Sequence, residues 1–194
     1  MRIAFSDHRD RLTALVPAFR SRPLSYADSA TLPERRTVVT IPTQERIDDL
    51  RACRLEFFFD YDIFPDSIVS AFGEWRLDRR DMRPGDIIVQ QASVPPGVLS
   101  LKLIFAVRVL TVTRSATEMS FSYGTLRGHA EMGTSAFILS ARDGVVTAAI
   151  QTHSRPAALA GRLVAPILVN PYQQYCTNRA LAKLRDSFLR ANES

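Results

Sequence analysis

The stretch with the most chemistry in it is Ser122-Tyr123-Gly124-Thr125-Leu126-Arg127-Gly128-His129-Ala130-Glu131-Met132-Gly133, which holds three of the eight glycines in the chain. His129 stands two residues before Glu131. A carboxylate at that spacing can orient an imidazole and raise its basicity. With Tyr123 they put a phenol, an imidazole and a carboxylate at one rim. Such a set can bind a polar ligand head or do acid–base chemistry. It can also merely satisfy loop amides. All three readings stay open at this level. As an enzyme, the set would use His129 as general base, Glu131 to orient it and Tyr123 to polarise a carbonyl.

Competing motifs fail on specific grounds. The glycine spacing is not a phosphate loop, because no Gly-Lys-Ser/Thr follows and the segment joins two strands. No Gly-x-Ser-x-Gly is present. His129, Glu131 and His153 form a pattern too loose for a zinc site, so neither a metal nor a cofactor is expected. Cys53 and Cys176 lack a CxxC context and read as buried reduced thiols.

The elements that must position these groups follow from periodicity. Thr125 to Gly133 reads as a nine-residue loop between strands. Strands with alternating apolar residues are expected over 36–41, 86–93, 99–113, 118–124, 135–142 and 145–154. Pro95-Pro96-Gly97 and Asp143-Gly144 are turn signals. One face of the long strand carries Leu101, Leu103, Phe105, Val107 and Val109; the next strand offers Met119, Phe121 and Tyr123. Arg108 interrupts the other face of the long strand and is expected to pair with a carboxylate in the pocket, Glu118 being a candidate, or else to point outward at the sheet surface. Helices are expected over 43–54 and 66–75, with an extended segment over 55–61. Asn170 and Pro171 are expected to open a last helix, whose apolar positions are Tyr172, Tyr175, Cys176, Ala180, Leu181, Leu184 and Phe188. Residues 1–35, broken by Pro17, Pro23 and Pro33, read as an irregular arm with a short helix over 10–19; residues 36–194 read as one domain.

This order predicts an α+β fold, a curved antiparallel sheet wrapped around a long C-terminal helix. The space between sheet and helix is the default ligand site. Tyr123, Arg108, His129, Glu131, Phe121 and Phe105 are its candidate ligand contacts.

Composition narrows the classes further. The chain has 194 residues, a net charge of +5, 46% hydrophobic and 23% charged residues, ordinary globular values that exclude collagen-like, disordered and coiled-coil chains. No apolar run reaches the roughly 18 residues of a membrane span. The best, Leu163 to Val169, contains Pro166. Met1 to Phe19 carries Asp7, Asp10 and arginines where a signal peptide would be apolar, so a cytoplasmic location is expected. The basic excess sits at the two chain ends. Phe57, Phe58, Phe59 and Tyr61 are interleaved with Glu56, Asp60, Asp62 and Asp66, which would repel phosphates, so nucleic acid is not an expected partner. The expected partner is a small apolar or amphipathic molecule; nothing here sets an oligomeric state.

The motif Tyr-Gly-Thr-Leu-x-Gly-His-x-Glu-x-Gly at 123–133, followed by Phe137-x-Leu139, resembles the signature of a bacterial and plant family called domain of unknown function 1990. Arg108-Val109 and Ser154-Arg155-Pro156 fall where that family's Arg-Val and Ser-Arg-Pro segments fall. The likeness covers about residues 36–190. The family is similar to the START/Bet v 1-like helix-grip superfamily, whose members often bind lipids, sterols or other apolar ligands. The resemblance therefore implies a helix-grip fold with a hydrophobic cavity. It supplies no reaction, and function from fold alone is analogy. Ligand binding is the leading expectation. A metal-independent enzyme using His129 and Glu131 is the rival, and a protein–protein interaction module using the N-terminal arm is the third.

Overall fold

The computed structural model describes residues 2–4, 7–94, 100–157 and 166–192, with the side chains of Arg2 and of residues 166–171 outside the description. The proposed turn at Pro95-Pro96-Gly97 and part of the apolar run at Leu163 lie outside it.

Seven strands form one antiparallel path in the order β2-β8-β7-β6-β5-β4-β3. They are β2 (Glu34–Ile41), β3 (Val69–Gly73), β4 (Ile87–Val94), β5 (Leu101–Arg114), β6 (Glu118–Thr125), β7 (Glu131–Arg142) and β8 (Val145–Pro156). Local chemistry accounts for the hairpins. Asp143 and Gly144 both have positive φ, 52° and 77°, the backbone of a two-residue turn matched to strand twist. A register shift between Val109 and Thr111 bends β5, which helps the sheet to curve.

The concave face carries the larger core. Val107, Val109, Phe121, Phe137, Leu139 and Val146 pack there against Ala180, Leu181, Leu184 and Phe188 of the C-terminal helix, α3. This helix runs Pro166–Asn192, so Asn170 lies within it rather than capping it. Its buried stripe is narrower than the sequence pattern suggests: Tyr175 faces outward with 44% of its surface exposed.

The convex face has a cover of its own, which explains why β5 is apolar on both sides. Helix α1 (Leu12–Arg20) lays Leu12, Val16 and Phe19 on Ile87, Val89, Ile104 and Ala106. Strand β1 (Arg2–Ala4) pairs with Lys102 to Ile104 of β5, beyond the point where β6 ends its pairing at Val107. The arm thus contains the short helix expected over 10–19, as α1, and adds a strand that the sequence reading lacked. Its continuation is tied to the end of β6: the Ser25 N–H donates to the Thr125 carbonyl at 2.8 Å, and the Arg127 N–H to the Pro23 carbonyl at 2.9 Å.

Three expected segments differ. Residues 43–54 form no α-helix, only one 3-10 turn over Leu50–Ala52 capped by the Asp49 side chain. Their amides bond outward to hairpin tips instead of inward, Leu50 N–H to Ala116 O at 2.8 Å and Ile47 N–H to Gly144 O at 3.4 Å. Residues 55–61 are not extended: α2 (Glu56–Phe59) is a single helical turn that buries Phe58. Residues 66–75 hold β3 and a 3-10 turn over Glu74–Arg76, because pairing with β4 supplies the backbone bonds a helix would have made. Among the described residues no helix is long and apolar enough to cross a membrane.

Candidate functional site

A cavity of about 160 Å³ lies between the concave face and α3. Phe64, Val69, Ala92, Phe105, Phe137 and Ile150 give it apolar walls. Its polar lining comes from distant segments: Arg35, Tyr61, Gln90, Tyr123, His129 and Glu131 from the sheet side, Tyr172, Gln173 and Cys176 from α3.

The glycine-rich motif is more strand than loop. β6 ends at Thr125 and β7 begins at Glu131, so the connection is Leu126 to Ala130, five residues rather than nine. Gly133 pairs opposite Ser154 with φ 143°, and a Cβ there would stand 1.9 Å from the His153 carbonyl oxygen. Only glycine allows that approach. Thr125 Oγ1 accepts the Gly133 N–H at 2.9 Å and lies 2.5 Å from Ser25 Oγ, so one hydroxyl ties β6, β7 and the arm together.

His129 is fixed by backbone. Its N–H donates to the Leu126 carbonyl at 2.9 Å, and its Nδ1 accepts the N–H of Glu131 at 2.9 Å. The ring lies 4.1 Å from that of Phe105, centroid to centroid. With Nδ1 an acceptor, the neutral ring carries its proton on Nε2. Burial holds its pKa down at about 3, so the ring is uncharged at neutral pH. The side chain is only partly accessible, and it lines the cavity.

Glu131 does not orient the imidazole with its carboxylate; only its amide does. The carboxylate turns to Ser154, whose Oγ donates at 3.4 Å, and to the Gln173 side chain. Burial pushes the carboxyl up, while these bonds and the Arg35 charge pull it back. Arg35 in turn donates to Gln173 Oε1 at 3.2 Å.

A second polar group spans β4, β6 and β7. Gln90 Nε2 donates to the Tyr61 hydroxyl at 2.6 Å; the Tyr61 and Tyr123 hydroxyls bond each other, and Tyr123 also bonds Ser135. Burial pushes both phenols up, so both stay protonated. Tyr61 holds φ at 60°, a left-handed backbone uncommon for a bulky residue, and so turns its ring into the core. The Tyr172 hydroxyl donates to the Ser93 carbonyl at 2.6 Å, and burial pushes the Cys176 thiol up to about 11.

Tyr123, Phe105, His129 and Glu131 thus meet in the cavity. Arg108 does not reach it. Its Nη2 donates to the carbonyls of Arg20 and Arg22 at 2.8 and 2.9 Å, holding the end of α1 on the convex face, while Glu118 accepts from Ser120 instead. Phe121 lies behind the wall, 1% exposed and stacked on Phe137 at 5.0 Å. Tyr61, Gln90, Arg35 and Gln173 were not anticipated. Of these, only Gln90 carries a signal, a polar residue inside the apolar strand Ile87–Val94. His153 stands 3.6 Å from Glu34, and among the described residues no three His, Cys, Asp or Glu side chains gather as a metal site.

A curved antiparallel sheet gripping a C-terminal helix over a cavity defines a protein of the helix-grip fold class. Within that class, the chain belongs to the family described as domain of unknown function (DUF1990), whose model matches residues 62–183. Among solved structures, a hypothetical protein, jhp0584, from Helicobacter pylori has a TM-score of 0.50 and 9% identity over 82% of this chain and 86% of its own. A protein from Arthrobacter aurescens gives 0.49 and 11% over 83% and 90%. Ginseng major latex-like protein 151 from Panax ginseng gives 0.42 and 10% over 80% and 98%. At such identities the likeness is one of fold. No curated protein matches the chain in sequence.

Proposed function

We propose that the chain binds a small, mainly apolar molecule with a hydrogen-bonding head in the cavity between sheet and helix. The observation that carries this reading is the state of His129. His129 lines an aromatic-walled cavity, and with Nδ1 taken by the Glu131 amide its Nε2–H is left without an acceptor among the described residues. A donor already held in place by folding gains a bond from a ligand acceptor without further ordering cost, so an acceptor there is favourable. The volume suits a molecule of about one ring, since an engineered apolar cavity of about 150 Å³ admits benzene.

The acid–base reading fares worse. A general base works best with a pKa near the operating pH, and a ring held at about 3 is a weak base. The Cys176 thiol, pushed up to about 11, is no nucleophile at neutral pH. The arm as an interaction module also loses support, because its helix is spent covering the convex face.

Native mass spectrometry of the purified protein tests the proposal. A co-purified small molecule is expected, released unchanged and lost in Ala92→Leu, which fills the cavity. Arg108→Ala, remote from the cavity, should keep it. Absence of any bound mass, together with no binding of one-ring probes at millimolar concentration, would refute the reading.

A further inference from the structure

We infer that the ligand presents to His129 an uncharged hydrogen-bond acceptor, such as an amide, ketone, ester or ether oxygen, rather than a carboxylate or an ammonium group. The inference rests on the binding reading above and narrows its ligand class.

The first ground is geometric. His129 Nδ1 lies 2.9 Å from the amide nitrogen of Glu131, whose hydrogen is permanent. Protonating Nδ1 would set two N–H groups against each other and forfeit a bond. The ring therefore offers one neutral donor and no charge, and its pKa of about 3 says the same thing thermodynamically.

The second ground is the charge inventory. Among the residues that line the cavity, Arg35 and Glu131 carry the formal charges. They are linked through Gln173: Arg35 donates to its Oε1, Gln173 bonds the Glu131 carboxylate, and the Arg35 charge acts on that carboxylate as well. A ligand carboxylate would meet a carboxylate beside its donor. A ligand ammonium would have to displace the hold of Arg35 and its glutamine. The inner end adds no charge, because Tyr61 and Tyr123 stay protonated and Gln90 and Ser135 are neutral. An ion moved from water into such a pocket lacks a partner, whereas a neutral acceptor completes His129 at no such cost.

Three probes of nearly equal size separate the cases: benzamide, benzoate and benzylamine, titrated at pH 7 and followed by nuclear magnetic resonance. Benzamide is expected to bind at least tenfold more tightly than either ion. His129→Ala should weaken it by roughly tenfold, the loss of one hydrogen bond. Imidazole nitrogen–proton correlation spectra of the wild type, which need no variant to fold, should show the neutral Nε2–H tautomer from pH 5 to 8. Benzoate or benzylamine binding as tightly as benzamide, an unchanged benzamide affinity in His129→Ala, or an imidazolium at pH 6 would each overturn the inference. If an ion binds and Ala92→Leu abolishes it, the cavity reading survives that failure. If none of the three binds, the cavity reading itself falls.

Discussion

Replacing Gly133 by alanine tests the lock that holds the site. The new methyl carbon would stand 1.9 Å from the His153 carbonyl oxygen, 2.8 Å from Ser154 Cα and 2.9 Å from the His153 carbonyl carbon. All three are backbone atoms of β8, so no side chain can swing aside. The strands would have to part by about an ångström, which strains the Gly133 N–H bond to Thr125 and the ladder around it. The φ of 143° adds about 1–3 kcal/mol for an L residue. With one or two bonds weakened at about 0.5–1.5 kcal/mol each, the total is about 2–6 kcal/mol. At about 2–4 °C per kcal/mol for a chain of this length, the melting midpoint should fall by roughly 10 °C. Gly85 supplies the control. It also has positive φ, 97°, but nothing lies within 4 Å of its would-be Cβ. Gly85→Ala should show the backbone cost alone. Urea unfolding of both variants measures the difference, expected at about 2 kcal/mol. Equal losses would mean that β7 and β8 do not approach as described, and the fixed position of Glu131 two residues away would lose its support.

Two further predictions concern the helix and the buried ring. Leu184→Ala on α3 should cost about 2–5 kcal/mol, while Tyr175→Ala, half exposed, should stay within about 0.5 kcal/mol; comparable losses in denaturant titrations would show that the helix face is misassigned. The pKa of His129 is held at about 3 against 6.5 in a model peptide, so between those values the unfolded chain binds a proton that the folded chain refuses. Stability should therefore rise with pH across that window, as far as this residue is concerned, and the contribution should be absent from His129→Gln. Glu131, with its carboxyl pushed up, works in the opposite sense, favouring the fold at low pH and losing that advantage as pH rises through its folded value. The difference between wild type and variant, not the total slope, is the readout, and an unchanged difference would remove the buried neutral imidazole.

Much of the fold is written locally. The Asp143-Gly144 turn and the alternation along β5 to β8 give the hairpins to within a few residues, because turn chemistry and side-chain alternation act over short spans. The helix expected over 43–54 fails for the opposite reason: Ile47, Leu50 and Cys53 have helical spacing, but the N–H groups of Ile47 and Leu50 bond hairpin tips at Gly144 and Ala116. The site divides the same way. Tyr123, His129 and Glu131 sit in one motif and could be singled out together. Tyr61 and Gln90 reach them only through folding, and a left-handed backbone at a tyrosine leaves no mark in sequence. In the sequence Arg108 reads as an interruption of an apolar face of β5, which suggests a charge turned into a cavity. That face belongs to a second core, built by α1, and Arg108 holds the end of that helix.

The motif's spacing acquires a different meaning once its bonds are traced. His-x-Glu suggests a carboxylate steering an imidazole, yet the steering group is the amide of Glu131, and the carboxylate is engaged with Ser154 and Gln173. Thr125 and Gly133 lock β6 to β7, and that lock holds the amide where Nδ1 can accept from it. The consequence is a donor that sits in the β6–β7 connection but is held by the strand-borne amide of Glu131. Preorganisation of this kind matters most for a small ligand, because a cavity of about 160 Å³ offers little apolar area from which to draw affinity. One ordered N–H, whose immobilisation is already met by folding, can then decide which molecule stays. The glycines and the threonine of the motif are thus structural in what they touch and functional in what they hold still.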